Sequence, residues 1–426
     1  MSQHLQPLRG MNDILPDDIH WWQWVEDTAR RVFAAYGYRE IRVPILERTE
    51  LFKRSIGEVT DIVEKEMYTF DDRSGDSVTM RPEATAGIVR AGLSNGLLHN
   101  QQQRVWCTGP MFRYERPQKG RFRQFHQLDV EALGFDGPDI DAEMILLSAR
   151  LWRELGLDGL VLELNSLGTP ESRAVYREAL VEWFSRHRDA LDDDSLRRLE
   201  TNPLRILDSK NPAMAEVIAG APEFGDYLDD ASVEHFAALR TMLDDAGIEY
   251  RLNPRLVRGL DYYSRTVFEW LTDRLGAQAA VCSGGRYDGL VTQLGGRPTP
   301  AIGWALGIER LVEVLRLSVG EREATVADVY VLAADDARER ETLKWTEALR
   351  DTLPAHRVLM HCGGGSLKSR MKKADRSGAA YAVIVGGDEL ARGELSVKAL
   401  RGDGAQQAVA ADGLGAWLAS RLPATG

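Results

Sequence analysis

The run Gln124-Phe-His-Gln-Leu-Asp-Val-Glu131 alternates residue by residue. Phe125, Gln127, Asp129 and Glu131 point one way and His126, Leu128 and Val130 the other, which is the period of a β-strand. Gln127 and Glu131 therefore share a face, as a polar pocket floored by an antiparallel sheet requires. With the segment before it, Met111 to Phe135 reads as strand, charged turn, strand. The pattern directs the chain towards a sheet that carries a polar site on one face.

A length of 426 residues suits two or three domains, and a hydrophobic content of 44% is enough for more than one core. The 53 Lys and Arg against 65 Asp and Glu leave a formal charge of −12. That balance argues against non-specific coating of nucleic acid, but it leaves room for a local basic surface. Cys107, Cys282 and Cys362 are far apart and form no CxxC pair, so neither a disulfide framework nor a zinc site is expected. The eight histidines show no HExxH spacing, and no protein-only metal site is predicted. The first residues lack a basic flank followed by an apolar core, and no apolar run approaches a membrane span. The expectation is a soluble cytoplasmic protein.

Asp17 to Tyr36 reads as a helix, with Trp21, Val25, Ala29 and Val32 at helical spacing and Gly37 after its end. Tyr38 to Ile45 reads as a strand interrupted by Pro44, hence an edge or interface strand. Residues from about 170 to 250 are charged and helical, an insertion between two catalytic segments. The expected organisation is a catalytic domain over 1–320, a linker at 321–327 and a small domain over 328–426. In the last, strands at Asp328–Ala333, Arg357–His361 and Tyr381–Val385 alternate with helices at Glu339–Leu353 and Ser366–Ser377. The second of these helices places Leu367, Met371 and Ala374 inward, and Lys368, Arg370, Lys372, Lys373 and Arg376 on its other sides.

Five segments carry candidate chemistry. Leu256 to Glu269 places Arg258 shortly before Tyr262 and Tyr263 in an otherwise apolar, strand-like run. Met111 to Glu131 places Arg113 on one strand, a basic loop after it, and a returning strand. Ala301 to Leu311 is a glycine-punctuated strand entering a helix that carries Arg310. Thr79-Met-Arg-Pro-Glu-Ala-Thr85 and Ala280 to Gly289 complete the set. A guanidinium meets charge building on a phosphoryl group with paired donors. No Walker-type GxxxxGK[ST] is present, so ATP, if used, is held by arginines and sheet backbone.

Met111 to Glu131 and Ala301 to Leu311 resemble the second and third motifs of class II aminoacyl-tRNA synthetases. Leu256 to Glu269 and Ala280 to Gly289 resemble two histidine-specific signatures of the bacterial-type histidyl-tRNA synthetases, and Thr79 to Thr85 resembles the loop of that family that holds the substrate α-ammonium. The resemblance implies an α+β fold: a class II catalytic core, an antiparallel sheet flanked by helices, with a helical insertion and a C-terminal α/β anticodon-binding domain. It implies a ligase that activates L-histidine with ATP, carrying Mg2+, and transfers it to the 3′ end of histidine tRNA. Glu83, Thr85 and Gln127 match the residues that take the α-ammonium. Glu131 and Tyr263 match those that address the imidazole, with Tyr262 nearby. Both ring nitrogens being hydrogen-bonded, apolar analogues are rejected by roughly four to five orders of magnitude. Arg113 and Arg258 match catalytic arginines at the α-phosphate, and Arg310 the one at the γ-phosphate. The basic loop (Arg116, Gln118, Arg121, Arg123) is expected near the acceptor end of the tRNA, and Lys368, Lys372 and Lys373 against tRNA in the tail domain. Tyr36 to Glu50 resembles the motif that forms a homodimer interface. Three positions depart from the pattern: Ala84 and Ser283 stand where Gly is usual, and Ser264 where Asn is usual. The rival reading is a catalytically silent paralogue that regulates the histidine-biosynthetic phosphoribosyltransferase. Such proteins resemble the synthetases least at Arg258 and the tyrosine pair.

Overall fold

The computed structural model describes residues 5–56, 60, 62–118, 120–207, 209, 211–257, 262–276, 280–320, 326–401 and 404–422. Arg258 and residues 321–325 of the expected linker lie outside them. The chain divides into two compact units, Met1–Gly320 and Glu321–Gly426.

The strands of the first unit are β1 (Arg39–Glu40), β2 (Leu46–Arg48), β3 (Tyr68–Asp71), β4 (Ser77–Met80), β5 (Gln103–Phe112), β6 (Gln124–Leu133), β7 (Val161–Ser166), β8 (Tyr250–Leu252), β9 (Ser264–Leu271), β10 (Ala280–Arg286) and β11 (Ala301–Gly307). Eight of them form one sheet in the order β1-β5-β6-β11-β10-β9-β7-β8, and β2, β4 and β3 form a small separate sheet. The inner pairings of the large sheet are antiparallel. Only its two edges, β1 on β5 and β8 on β7, are parallel.

The alternation in β6 divides this sheet. Leu128, Val130 and Ala132 face a core shared with Ile302, Trp304 and Leu306 of β11 and with the helices Ile19–Ala35, Pro138–Glu154 and Ile308–Val319. The odd-numbered residues face the other side. Helix Ile19–Ala35 buries the four expected apolar positions, and Gly37 follows it with φ +78°. The strand expected over Tyr38–Ile45 is reduced to Arg39–Glu40 at the sheet edge. Pro44 has no N–H for a ladder, and the Val43 carbonyl is taken instead by the Arg81 guanidinium at 2.9 Å.

The charged helical stretch has a core of its own around Tyr176, Leu180, Phe184 and Phe224. Its last helix, Asp230–Asp245, buries Leu239 and Leu243 in the main core instead, and β8 returns to the main sheet. A buried ionic network fixes that return. Asp141 lies 2.8 Å from both His235 and Arg286, and Arg286 also donates to the Gly137 carbonyl at 2.7 Å. Paired with Asp141 and donating through its terminal nitrogens, the guanidinium is tolerated in the interior.

The second unit holds β12 (Val329–Ala333), β13 (Val358–Met360), β14 (Tyr381–Val385), β15 (Glu394–Ala399) and β16 (Gln407–Ala410), in the order β13-β12-β14-β15-β16. β12 runs parallel to β13 and β14, with helices Glu339–Thr352 and Leu367–Arg376 in the connections, and β14 to β16 are antiparallel. Two side chains of the helix Leu367–Arg376 depart from the sequence reading. Leu367 is exposed, and Arg370 is fully buried. Arg370 occupies the inward position one turn before Ala374, where its guanidinium donates to the Gly365 and Ala333 carbonyls (2.8 and 3.0 Å) and pairs with Asp336. Backbone carbonyls and Asp336 thus compensate a charge that the helical pattern alone places outside. Lys368, Lys372, Lys373 and Arg376 are exposed.

Candidate active site

The odd-numbered face of β6 floors a cavity of about 360 Å³. Room for it comes from the neighbouring strand. Gln127, Asp129 and Glu131 stand in register with Gly307, Ala305 and Gly303 of β11. A Cβ at Gly303 would run into the Glu131 carboxylate, so glycine there is a steric requirement of the acid beside it.

Glu131 is fully buried and held from two sides. The Thr85 hydroxyl donates to its Oε1 at 2.6 Å, and the Tyr287 hydroxyl donates to its Oε2. Burial pushes its carboxyl up to about 8 against the pull of those two donors. Glu83 precedes the helix Thr85–Ser94, and its Oε1 accepts the Ala86 N–H at 3.0 Å. Its Oε2 has no partner, and burial raises this carboxyl as well. Gln127 Oε1 and both oxygens of Asp129 are likewise buried without a partner. Each unfilled acceptor costs about 1–3 kcal/mol, so four on one wall mark a place built for a donor-rich ligand.

The Tyr262 ring packs 4.8 Å from that of Tyr263 and 5.5 Å from that of Tyr287. Tyr262 and Tyr263 line the cavity beside Glu83 and Thr85, but β9 begins only at Ser264, after the tyrosine pair. Arg113 also lines the cavity; it donates to the Pro82 carbonyl at 2.8 Å and rests over the Phe125 ring at 5.2 Å. Arg310 donates to the Ala280 carbonyl, and burial together with Arg121 lowers its affinity for the proton. Glu83, Thr85, Gln127, Tyr262, Tyr263, Arg113 and Arg310 thus meet in one cavity, and Glu131 lies directly behind it, bonded to Thr85. The same cavity is lined by open acidic acceptors and by guanidinium groups that suit phosphate oxygens.

In the loop after β5, Arg116 and Gln118 are exposed. Arg121 pairs with Glu115 at 3.0 Å, and Arg123 covers the Tyr114 ring at 3.7 Å. Two residues of the site were not singled out from the sequence, Asp129 and Tyr287. The strand alternation had already placed Asp129 on the correct face. Tyr287 lay within a quoted segment, but the contact to Glu131 spans 156 positions and no local pattern announces it. The departures from the family pattern are accommodated locally. Ala84 sits at φ −100°, a conformation that needs no glycine, and Ser264 Oγ accepts the Asp288 N–H at 3.4 Å.

Glu131 binds its proton more tightly folded than unfolded, between the ordinary 4.5 and about 8, so its contribution to stability falls as pH rises through that window. The ligand-free protein is expected to lose stability between pH 5 and pH 8, and Glu131→Gln to flatten that slope by at least about 1 kcal/mol in urea unfolding. A variant profile parallel to the wild-type one contradicts the assignment.

Comparison with known proteins gives the family. The family model for histidyl-tRNA synthetase matches residues 10–311, and that for an anticodon binding domain matches residues 328–421. A histidine–tRNA ligase of Halorhodospira halophila is 61% identical over 96% of this chain and 97% of its own length. One of Alkalilimnicola ehrlichii is 58% identical, over 99% and 98%. The crystal structure of the apo S. aureus histidyl-tRNA synthetase matches with a TM-score of 0.81 at 34% identity, covering 97% of this chain and 99% of that one. Matches of this extent, through both units, show that the chain belongs to the histidyl-tRNA synthetase family.

Proposed function

We propose that the cavity over β6 and β11 is where this chain charges histidine tRNA. The carboxylate of L-histidine attacks the α-phosphate of ATP, giving histidyl-adenylate and pyrophosphate, and the histidyl group then passes to the 3′-terminal adenosine of the tRNA with release of AMP. No side-chain nucleophile is required, because positioning and charge neutralisation supply the acceleration. The observation that carries the reading is one cavity lined both by open buried acceptors and by arginines.

Glu83 and Gln127 offer unfilled oxygens to the α-ammonium, and Thr85 joins them through its hydroxyl. Glu131, steadied by Thr85 and Tyr287, addresses the imidazole with Tyr263, and Tyr262 packs beside them. Arg113 is assigned to the α-phosphate and Arg310 to the γ-phosphate. Arg258, outside the described residues, is assigned to the α-phosphate on its motif alone. Mg2+ is taken to arrive bound to the ATP phosphates. Arg116, Gln118, Arg121 and Arg123 are assigned to the acceptor end of the tRNA, where Arg121 and Arg123 exchange Glu115 and Tyr114 for phosphates or the 5′ guanosine. The exposed Lys368, Lys372 and Lys373 are assigned to tRNA in the second unit. A homodimer through the Pro44 segment is supported by the exposed Ile45, Leu46 and Phe70 on and around the small sheet. Among the described residues no helix is long and apolar enough to cross a membrane, and the proposed location is the cytoplasm.

ATP–pyrophosphate exchange tested across the amino acids checks the reading. L-histidine is expected to support exchange at least about 10³-fold better than any other, and purified histidine tRNA to be charged. No exchange with any amino acid would support the regulatory paralogue instead. Lys372→Glu with Lys373→Glu is expected to lower kcat/KM for tRNA charging by about tenfold or more while exchange stays within about twofold. Equal loss of both activities contradicts a separate tRNA role for that helix.

A further inference from the structure

We propose that Asp129 is a second carboxylate ligand of the amino acid's α-ammonium, standing beside Glu83. The inference rests on the histidine reading above and adds a residue to which that reading assigns no role.

Asp129 lies on β6 between Gln127 and Glu131 and opens into the same cavity, yet it is only 1% exposed. Neither of its oxygens has a hydrogen-bond partner. Its neighbours across the sheet offer none. In register with it stand Cys107 on β5 and Ala305 on β11, and beyond Ala305 comes Ser283 on β10. The Cys107 thiol points its weak donor at the Thr108 carbonyl, and Ala305 has no polar atom to give. The two arginines whose charge reaches Asp129 are engaged elsewhere. Arg81 donates to the Pro110 and Val43 carbonyls, both at 2.9 Å, and Arg113 to the Pro82 carbonyl.

A carboxylate buried in this way either stays a neutral acid or waits for a cation. The cavity shows where that cation sits. Glu131 already receives Thr85 and Tyr287 and belongs to the imidazole end. Glu83 Oε2, Gln127 Oε1 and the Asp129 carboxylate remain, three unfilled acceptor groups on the wall of one cavity. An ammonium group carries three N–H donors and one positive charge. Asp129 shares these donors with Glu83, Gln127 and the Thr85 oxygen, and the second carboxylate makes the site discriminate strongly against a ligand that is neutral at this position. Ala305 gives Asp129 the room to reach the ligand, as Gly303 gives Glu131 its own.

The test compares two ligands on two proteins by calorimetry. L-histidine carries the ammonium, and imidazolepropionate is the same molecule without it. Asp129→Asn keeps the shape and removes the charge. The variant is expected to bind L-histidine at least about tenfold more weakly, about 1.4 kcal/mol, and imidazolepropionate within about twofold of wild type. Equal weakening of both ligands, or no change in either, overturns the proposal. Thermal unfolding establishes that the variant is folded. If it is not, a crystal structure of the wild-type protein with L-histidine decides: an ammonium nitrogen within hydrogen-bond distance of an Asp129 oxygen upholds the assignment, and a carboxylate turned away overturns it. Failure of the wild-type protein to bind L-histidine sinks the activity reading and the Asp129 assignment together, whereas wild-type binding without a ligand-selective effect sinks only the latter.

Discussion

Glu83, Asp129 and Glu131 are three carboxyl groups buried around one strand, and no arginine or lysine among the described residues forms an ion pair with any of them. Burial raises all three above their ordinary range. Much of the rest of the first unit is arranged around tolerating that cost. The opposite face of β6 packs Leu128, Val130 and Ala132 into the largest core of the chain, which keeps the strand in place whatever the acid face contributes. β11 keeps Gly303, Ala305 and Gly307 beside the acids instead of the branched side chains that a central strand usually carries. The result is a rigid wall that is under-satisfied without its ligand, the usual relation between a stable scaffold and a site that binds.

The residues proposed for the amino acid and for the phosphates are joined by a short covalent and hydrogen-bonded path. Arg113 donates to the carbonyl of Pro82, the residue before Glu83. Glu83 in turn accepts from the first turn of the helix Thr85–Ser94, and Thr85 reaches across to Glu131. A shift of the Pro82 carbonyl therefore moves Glu83, the proposed ammonium acceptor, and Arg113, the proposed phosphate donor, together. Such coupling suits a reaction in which the carboxylate and the α-phosphate meet only when both ligands are seated. Tyr287 closes the far side of Glu131 and, through its contact with Tyr262, brings the tyrosine pair against the same acid.

The sequence made legible what depends on local period and on contiguous motifs. The alternation of β6, the helix Ile19–Ala35 and the strand–helix order of the second unit up to Val385 are all local patterns, and they stand in the structure as read. The hairpin of β15 and β16 was not foreseen, nor was the shortening of the strand at Pro44. The first is short and partly exposed, and the second turns on a guanidinium from residue 81 taking a strand carbonyl. Arg370 was misplaced for a similar reason, since its partners Ala333 and Asp336 belong to a different element. Within the site, residue types were legible but their state was not. That Asp129 is buried and unpartnered depends on what β5 and β11 place opposite it, a three-dimensional fact that no spacing within β6 contains.

The electrostatic account is tested most directly by the protons exchanged when L-histidine binds. Calorimetry in buffers of different ionisation enthalpy, at about pH 7.5 where the free imidazole is mostly neutral, counts them. Burial shifts these carboxyl groups towards the protonated form and an arriving ammonium shifts them back, so a net release of protons is predicted. A binding enthalpy that is the same in every buffer, or a net uptake of protons, would contradict it.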